Sequence, residues 1–582
     1  MVMKKSIYYL LIVVSTFISG CSMDKLPGDK LNPDSFFKTE NDLSIYTNSM
    51  YDILPTGQQL YTRDANLSDN IATANSPALL VSGNYTDQES ELSTWWKWDA
   101  LRNINYFLER NNNEEIPLRI RANYNGIARF FRAWFYFEKV KTFGDVPWCE
   151  KTLSSNDPDL FAPRDSRVLV MDKIIEDINY AIENIIEPFN RNGSTVTRSA
   201  ALALKSRICL FEGTYRKYCG DQSLKASADN LLSMASEAAQ TLINQTYFDI
   251  YKAGSTPYRD LFTGEGTFPG TEVILGDTYN SSLARYHEAN WLFTSSSFGS
   301  RPGLTKTFVN TFLNSNGTRF TDNPAYDTTP FQIETKNRDS RLSQIIRTEG
   351  YKLLGVLTPP DLGHSKSGYH LIKYTQDNNS NLGMGRNTNS IPLIRYAEVL
   401  LNLAEAKAEL GQMTDQVWNA TIGVLRSRAK ITNTSRPSQE DQYMKSLYPN
   451  INSADLLEIR RERAIELVAE GFRFDDLRRW RAGNLLTLAW DGVYVESHNV
   501  EIDMNGDGKK DVCFVTSAPA SPSQGVYYYL SSATFSAPAA KKIAIYSNMT
   551  KRFPDKNYLY PIPKSAILKN PSLKQNTGWT VN

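Results

Sequence analysis

The segment Leu456 to Trp480, LLEIRRERAIELVAEGFRFDDLRRW, constrains the chain more than any other stretch. It is the densest run of charge, yet it is amphipathic. Leu456, Leu457, Ile459, Ala464, Leu467 and Val468 recur at roughly helical intervals. Glu458, Glu462, Glu466 and Glu470 fall four residues apart, so a helix stacks them in one column. Like charges at that spacing repel by about 0.2–0.5 kcal/mol per pair. The column therefore needs cations, and Arg460, Arg461, Arg463, Arg473, Arg478 and Arg479 are the nearest supply. Gly471 is placed to end the helix in a left-handed cap. Phe472, Phe474, Leu477 and Trp480 carry the apolar face onward. One reading is catalytic: two of Glu462, Glu466 and Glu470 acting across a sugar bond, as in a glycosidase. The other is an ion-pair scaffold. Each acid has an arginine close by in sequence, whereas a proton-transfer acid needs a raised pKa in an apolar pocket, so the scaffold is expected.

Residues 460–480 resemble the C-terminal signature of the SusD/RagB family of Bacteroidetes outer-membrane lipoproteins, E-R-x-x-E-L-x-x-E-G-x-R-x-x-D-L-x-R-W. Other segments resemble the family in the same order. Arg121 to Trp148, RANYNGIARFFRAWFYFEKVKTFGDVPW, matches its A-x-F-L-R-A-x-x-Y-F helix and the G-D-V-P turn at Gly144 to Pro147. Asn337 to Leu342 matches N-R-D-P-R-L with Ser340 in place of Pro. The segment from Ile391 through Ala406 resembles I-x-R-Y-A-E-x-x-L-x-x-A-E-A, and Tyr560-Pro561-Ile562-Pro563 and Asn570-Pro571 match its ending.

The beginning of the chain reads as an address. Lys4 and Lys5 precede a mostly apolar run, Ile7 to Ile18, too short to span a membrane comfortably. Ile18-Ser19-Gly20-Cys21 resembles a lipobox, with cleavage before Cys21 and acylation of its thiol. Removing residues 1–20 leaves about 560 residues, enough for several domains or one large helical array. A net charge of +1 gives no electrostatic case for nucleic acid. Cys149, Cys209, Cys219 and Cys513 form neither a disulfide framework nor a CxxC zinc pattern. Cys209 and Cys219 are the one pair open to an oxidising exterior, although Cys209 lies on an apolar helical face.

A helix is expected from Glu40 to Tyr51, and polar loops from Pro55 to Ser93 with Tyr61 and Tyr85 embedded. Trp95, Trp98, Leu101 and Leu108 broadly share a helical face and are expected to pack, leaving Trp96 as the freer ring. Ser166 is placed to cap a helix that runs to Ile185, followed by helices at Ser199 to Phe211 and Ala226 to Leu242. These antiparallel pairs have the geometry of a tetratricopeptide unit. The expected fold class is mainly α, and the resemblance implies that the helix pairs form a tetratricopeptide-like superhelix cradling a loop-rich, irregular ligand-binding region. The expected organisation is an N-terminal region at 21–245 and a C-terminal region at 246–582. The latter divides into loops at 246–390, helix pairs at 391–480 beginning at Ile391, and an irregular part at 481–582.

Asp503, Asn505, Asp507 and Asp511 occupy positions 1, 3, 5 and 9 of a calcium-loop pattern with Gly508 at 6, but position 12 is Phe514. Calcium is thus a possible ligand beside a plain turn. No G-x-S-x-G elbow, HExxH pair or nucleotide fingerprint is present. The resemblance implies a non-catalytic cell-surface lipoprotein that binds oligo- or polysaccharide and passes it to a SusC-like TonB-dependent barrel in the outer membrane. By the same resemblance, glycan-stacking aromatics are expected among Tyr286, Trp291, Phe293 and Phe298, with Tyr85 and Trp96 as further candidates. The alternatives are a glycosidase and a binder of peptides rather than glycans.

Overall fold

The computed structural model describes residues 36–74, 77–80, 85–189, 191–295, 299–378, 382–530, 541–547 and 549–580. Cys21 and Phe298 lie outside them. The helices that organise the molecule are α1 (Glu40–Asn48), α2 (Gly57–Asn66), α3 (Ser90–Trp95), α4 (Asp99–Arg110), α5 (Leu118–Phe143), α6 (Arg167–Asn184), α7 (Arg198–Tyr218), α8 (Ala228–Asn244), α9 (Tyr396–Glu409), α10 (Ala454–Glu466) and α11 (Arg473–Arg479). The helices α5 to α10 pack consecutively, each on its neighbour in that series, which gives the superhelix of helix pairs that the resemblance implies.

Local chemistry fixes the ends of these helices and side chains fix their spacing. Ser166 caps α6 by accepting the amide of Leu169 at 3.3 Å, and Thr197 caps α7 by accepting that of Ala200 at 3.1 Å. Gly144, at φ 77°, ends α5 in a conformation that a side chain disfavours. A Cβ on Gly213 of α7 would stand 2.9 Å from Leu232 of α8, so glycine permits that close approach. Buried ion pairs staple the layers together. Arg132 of α5 grips Asp177 of α6 at 2.6 and 2.7 Å, Arg167 of α6 grips Glu212 of α7 at 2.7 Å, and Arg207 of α7 grips Glu398 of α9 at 2.7 Å.

Four expectations are corrected. Pro55 to Ser93 is not loop throughout. Thr56 and Gln59 form a reciprocal capping box that starts α2, a T-x-x-Q signal present in the sequence. Ile391 to Arg395 is a strand, β4, and the helix begins only at Tyr396. Counting β1 (Ile71–Ala72), β2 (Val273–Asp277) and β3 (Gly303–Leu304), β4 pairs antiparallel with β2, and β1 with β3. The helix through the glutamates stops at Glu466, not at Gly471, with Ala469 at φ 62° and Gly471 at φ 84° making the turn into α11. Cys209 and Cys219 lie ten residues apart on α7 and its cap, about 15 Å along the axis, so they cannot pair, and the described cysteines are free. Among the described residues, no helix is long and apolar enough to cross a membrane.

Candidate functional site

The glutamates of the column are buried, and apart from Arg461 their cations come from elsewhere in the chain. Glu458 meets Arg461 at 2.6 Å and Arg426 at 2.5 Å, and Arg426 also reaches Glu462 at 3.1 Å. Glu466 accepts from Arg341 at 2.7 Å, from Arg395 at 2.6 Å and from Arg428. Glu470 accepts from Arg395 at 2.7 Å and Lys373 at 2.6 Å. Of the arginines nearest in sequence, Arg461 serves the column, while Arg463, Arg473, Arg478 and Arg479 bind Asp476, Asp69, Asp475 and Glu405. Burial alone would raise the pKa of Glu466, but Arg428, Arg395 and Arg341 outweigh it and hold the carboxyl well below the usual range. A glycosidase needs its two acids across an open cleft; Glu462, Glu466 and Glu470 sit at 1%, 0% and 3% exposure. They tie the loop-rich region to the helices.

An open cleft of about 930 Å³ adjoins the end of this column, with Glu470 in its lining, between α2 on one side and α5 with the turn into α11 on the other. Gln58, Gln59, Thr62, Arg63 and Asn66 line it from α2, a spacing that sets them on one helical face. Tyr61, Asp64 and Ala65, on the opposite face, are buried. Asp64 holds the far wall in place by accepting the amides of Gly471 at 2.9 Å and Arg473 at 3.3 Å. A Cβ on Gly471 would stand 2.9 Å from the Leu60 side chain, so the turn can close on α2 only with glycine there. The charges on the floor are neutralised internally. Asp475 takes Arg63 at 2.6 Å, Lys141 at 2.8 Å and Arg478 at 2.6 Å, and these cations overcome its burial to hold it ionised.

One end of the cleft is aromatic. Tyr85 donates its hydroxyl to Glu91 at 3.0 Å, and its ring lies 5.6 Å from that of Tyr560 and 6.1 Å from that of Trp579. Trp95 meets Tyr560 edge-on at 5.1 Å and remains 39% exposed. Beneath it the Lys139 ammonium donates to the carbonyls of Trp95 and Lys97, and burial lowers its pKa to about 7. Among the described residues, the Thr62 hydroxyl and the Trp134 indole N–H, both of residues lining the cleft, have no hydrogen-bond partner. The exposed Trp95 ring and half-buried Tyr85, beside amide and hydroxyl groups, suit a ligand that is itself flat, apolar on one face and rimmed with hydroxyls.

The residues singled out from sequence fall in several places. Tyr85 lines the cleft. Trp96 does not: it packs edge-on against Phe143 at 4.9 Å and Trp98 at 5.4 Å, and Trp95 is the exposed ring. The assignment reverses because α3 ends at Trp95 and α4 starts at Asp99, so the three tryptophans do not share one helix. Tyr286 is exposed, with its hydroxyl donating to the carbonyl of Ser281 at 3.3 Å, and Trp291 is half-buried on the short helix Ala289–Thr294. They flank Glu288, which accepts from Gln58 at 3.2 Å, so this segment adjoins the α2 wall. Phe293 is buried against Tyr61. Sequence reasoning missed Trp95, Tyr560 and the polar face of α2.

The Asp503 to Asp511 loop spends carboxylate oxygens on its own backbone. Asp503 accepts from the amides of Gly506 at 2.6 Å and Gly508 at 2.8 Å, Asp507 from that of Lys509 at 2.9 Å, and Asp511 from that of Met504 at 2.7 Å. Asn505 accepts the amide of Asp507 at 3.1 Å. Among the described residues, no group of three or more acidic, histidine or cysteine side chains is placed to hold a metal ion.

Residues 271–579 match the model of the SusD family, and residues 23–210 match a model described as starch-binding associating with outer membrane. SusD-like protein P38 of Formosa agariphila is 25% identical over 499 residues, covering 81% of this chain and 91% of that protein. A SusD-like carbohydrate-binding protein from Bacteroides fragilis shares the fold with a TM-score of 0.71 at 20% identity, covering 93% of this chain and 100% of that one. A second SusD-like protein from the same organism has a TM-score of 0.69 at 22% identity, covering 95% and 100%.

Proposed function

This chain belongs to the SusD family, and on that premise we propose that it is a non-catalytic glycan-binding protein of the outer membrane. It is held at the cell surface by a lipid on Cys21 and passes oligosaccharides to a SusC-like TonB-dependent barrel. The observation that carries this reading is the cleft, which has Tyr85, Trp95 and Tyr560 at one end and Gln58, Gln59, Thr62, Arg63 and Asn66 of α2 along its wall. A sugar ring stacks its C–H face on an exposed aromatic ring, while Gln58, Gln59, Thr62 and Asn66 exchange hydrogen bonds with its hydroxyls. Lys139 fixes the Trp95 carbonyl before any ligand arrives, so little ordering entropy is lost on binding. Handing a ligand on requires release, and a cleft this open suits modest affinity. Burial and pairing of the α10 glutamates support the absence of hydrolysis.

The test uses the protein from Ser22 onward in native gels containing amylopectin, laminarin, xylan, alginate or pectin, with the same mixtures assayed for new reducing ends. Retardation by at least one polymer, weakened by Trp95→Ala and without new reducing ends, is the expected result. New reducing ends would replace binding with catalysis, and no retardation by any polymer would refute the glycan reading. Co-purification of a TonB-dependent barrel from outer membranes tests the delivery step.

A further inference from the structure

On the far side of the turn Ser49–Ile53 lies a second groove of about 500 Å³, between that turn with α1 and the face of α4. Asp52 and Ile53 line both hollows, so this turn is the ridge between the groove and the cleft. The groove is already ordered. Tyr46 donates to the Asn103 side-chain oxygen at 2.6 Å, Asn103 donates to the Ser49 hydroxyl at 3.3 Å, and Ser49 donates to the Tyr46 carbonyl at 2.7 Å. Tyr46 and Tyr106 lie nearly parallel, with ring centroids 6.3 Å apart, and Tyr106 is half-buried. Asp52, Asp99 and Arg102 stand exposed at the rim. The volume falls within the usual range for small-ligand pockets.

We infer that this groove is a second subsite for the same ligand, occupied by sugar units of a chain that leaves the cleft and crosses the Asp52–Ile53 ridge. The inference rests on the glycan reading above. Tyr106 supplies the stacking surface, and Asn103, Ser49 and the rim carboxylates supply acceptors for hydroxyl groups. Asp52 and Asp99 balance the guanidiniums of Arg102 and of Arg110, which lies 5.5 Å from the centre of the Tyr106 ring, so the groove offers no net positive charge to uronic or sulfated units and takes a neutral sugar. Spanning two subsites makes affinity depend on chain length, because the second contact forms at high effective concentration once the first is made.

The experiment compares wild type with Tyr106→Leu and Asp99→Ala, first by retardation in amylopectin, laminarin, xylan, alginate and pectin gels. Calorimetry then measures binding of the polymer that retards the wild type and of its trisaccharide: maltotriose, laminaritriose, xylotriose or the uronic trisaccharide. Tyr106→Leu keeps an apolar side chain against Phe37, and Asp99 is exposed, so at least one variant stays folded for the comparison. The expected result is about fivefold weaker binding of a neutral polymer, ~1 kcal/mol, with the trisaccharide bound as by wild type. Equal binding of the polymer by wild type and both variants would overturn the second subsite, as would equal losses for polymer and trisaccharide. Retardation by alginate or pectin alone would overturn its neutral specificity. If no polymer retards the wild type, the glycan reading itself falls and takes this inference with it.

Discussion

Glu466→Gln separates scaffold from catalysis at the position where the sequence leaves both open. The wild-type carboxylate accepts from Arg341 at 2.7 Å, Arg395 at 2.6 Å and Arg428, and the residue has no exposure. Glutamine keeps the shape, but it removes one negative charge and turns an acceptor into an N–H₂ facing guanidinium donors. Removing one partner from a buried ion pair costs about 3–5 kcal/mol, most of it from the charge left uncompensated. The retained amide oxygen places this variant near ~3 kcal/mol. With an unfolding entropy of about 2 cal/mol/K per residue, that loss lowers Tm by about 2–4 °C in a chain of this length. The urea midpoint falls with it. The pH dependence carries a second signature. The folded carboxyl is held well below its ordinary 4.5, so its stabilisation is complete above that value and is lost as pH falls towards the depressed folded pKa. The variant lacks that part of the acid limb. Circular dichroism at graded urea and pH measures both effects, and polysaccharide retardation of the folded variant should match wild type. Unchanged stability, or lost retardation in a fully folded variant, would refute the scaffold argument.

Three further outcomes follow from the geometry. Trp95→Ala should weaken polysaccharide retardation at unchanged Tm, whereas Trp96→Ala, which removes a ring packed on Phe143 and Trp98, should lower Tm and leave retardation in place at low temperature. Lys139→Met should flatten the alkaline side of the stability profile. The folded lysine has a pKa of about 7 against an ordinary 10.5, so the unfolded chain binds the extra proton between those values. Wild-type stability therefore rises with pH across that window by up to about 1.4 kcal/mol per pH unit, and thermal melts at pH 6 to 10 read the slope. Gly471→Ala should cost at least about 1–2 kcal/mol by urea titration, because φ is 84° there and the new methyl group meets Leu60.

The parts of the fold visible in the sequence are those whose signal is local. Apolar spacing placed α6, α7 and α8, and Ser166 marked the start of α6, because helix periodicity and capping are decided within a few residues. The turn at Gly144 was legible for the same reason. The partners of the glutamate column were not. Arg341, Arg395 and Lys373 come from a short helix, a strand and a turn more than sixty residues away, and which arginine meets which acid is decided only when those segments pack. The tryptophans illustrate a subtler failure. Extending one helical period through Trp95, Trp96 and Trp98 assumes an unbroken helix, and a break of three residues, Trp96 to Trp98, was enough to exchange the exposed ring for a packed one. Buried charge and open cleft are also connected physically. Asp475, which fixes Arg63 and Lys141 on the cleft floor, lies on α11, and the turn into α11 is held to the cleft wall by Asp64 of α2. Pairing the floor charges internally leaves mainly amides, hydroxyls and the Trp95 ring to meet the ligand, with Glu138 and Glu91 as the solvent-reaching carboxylates beside them. A surface of that kind binds without a large desolvation penalty for charge, and so can also let its ligand go.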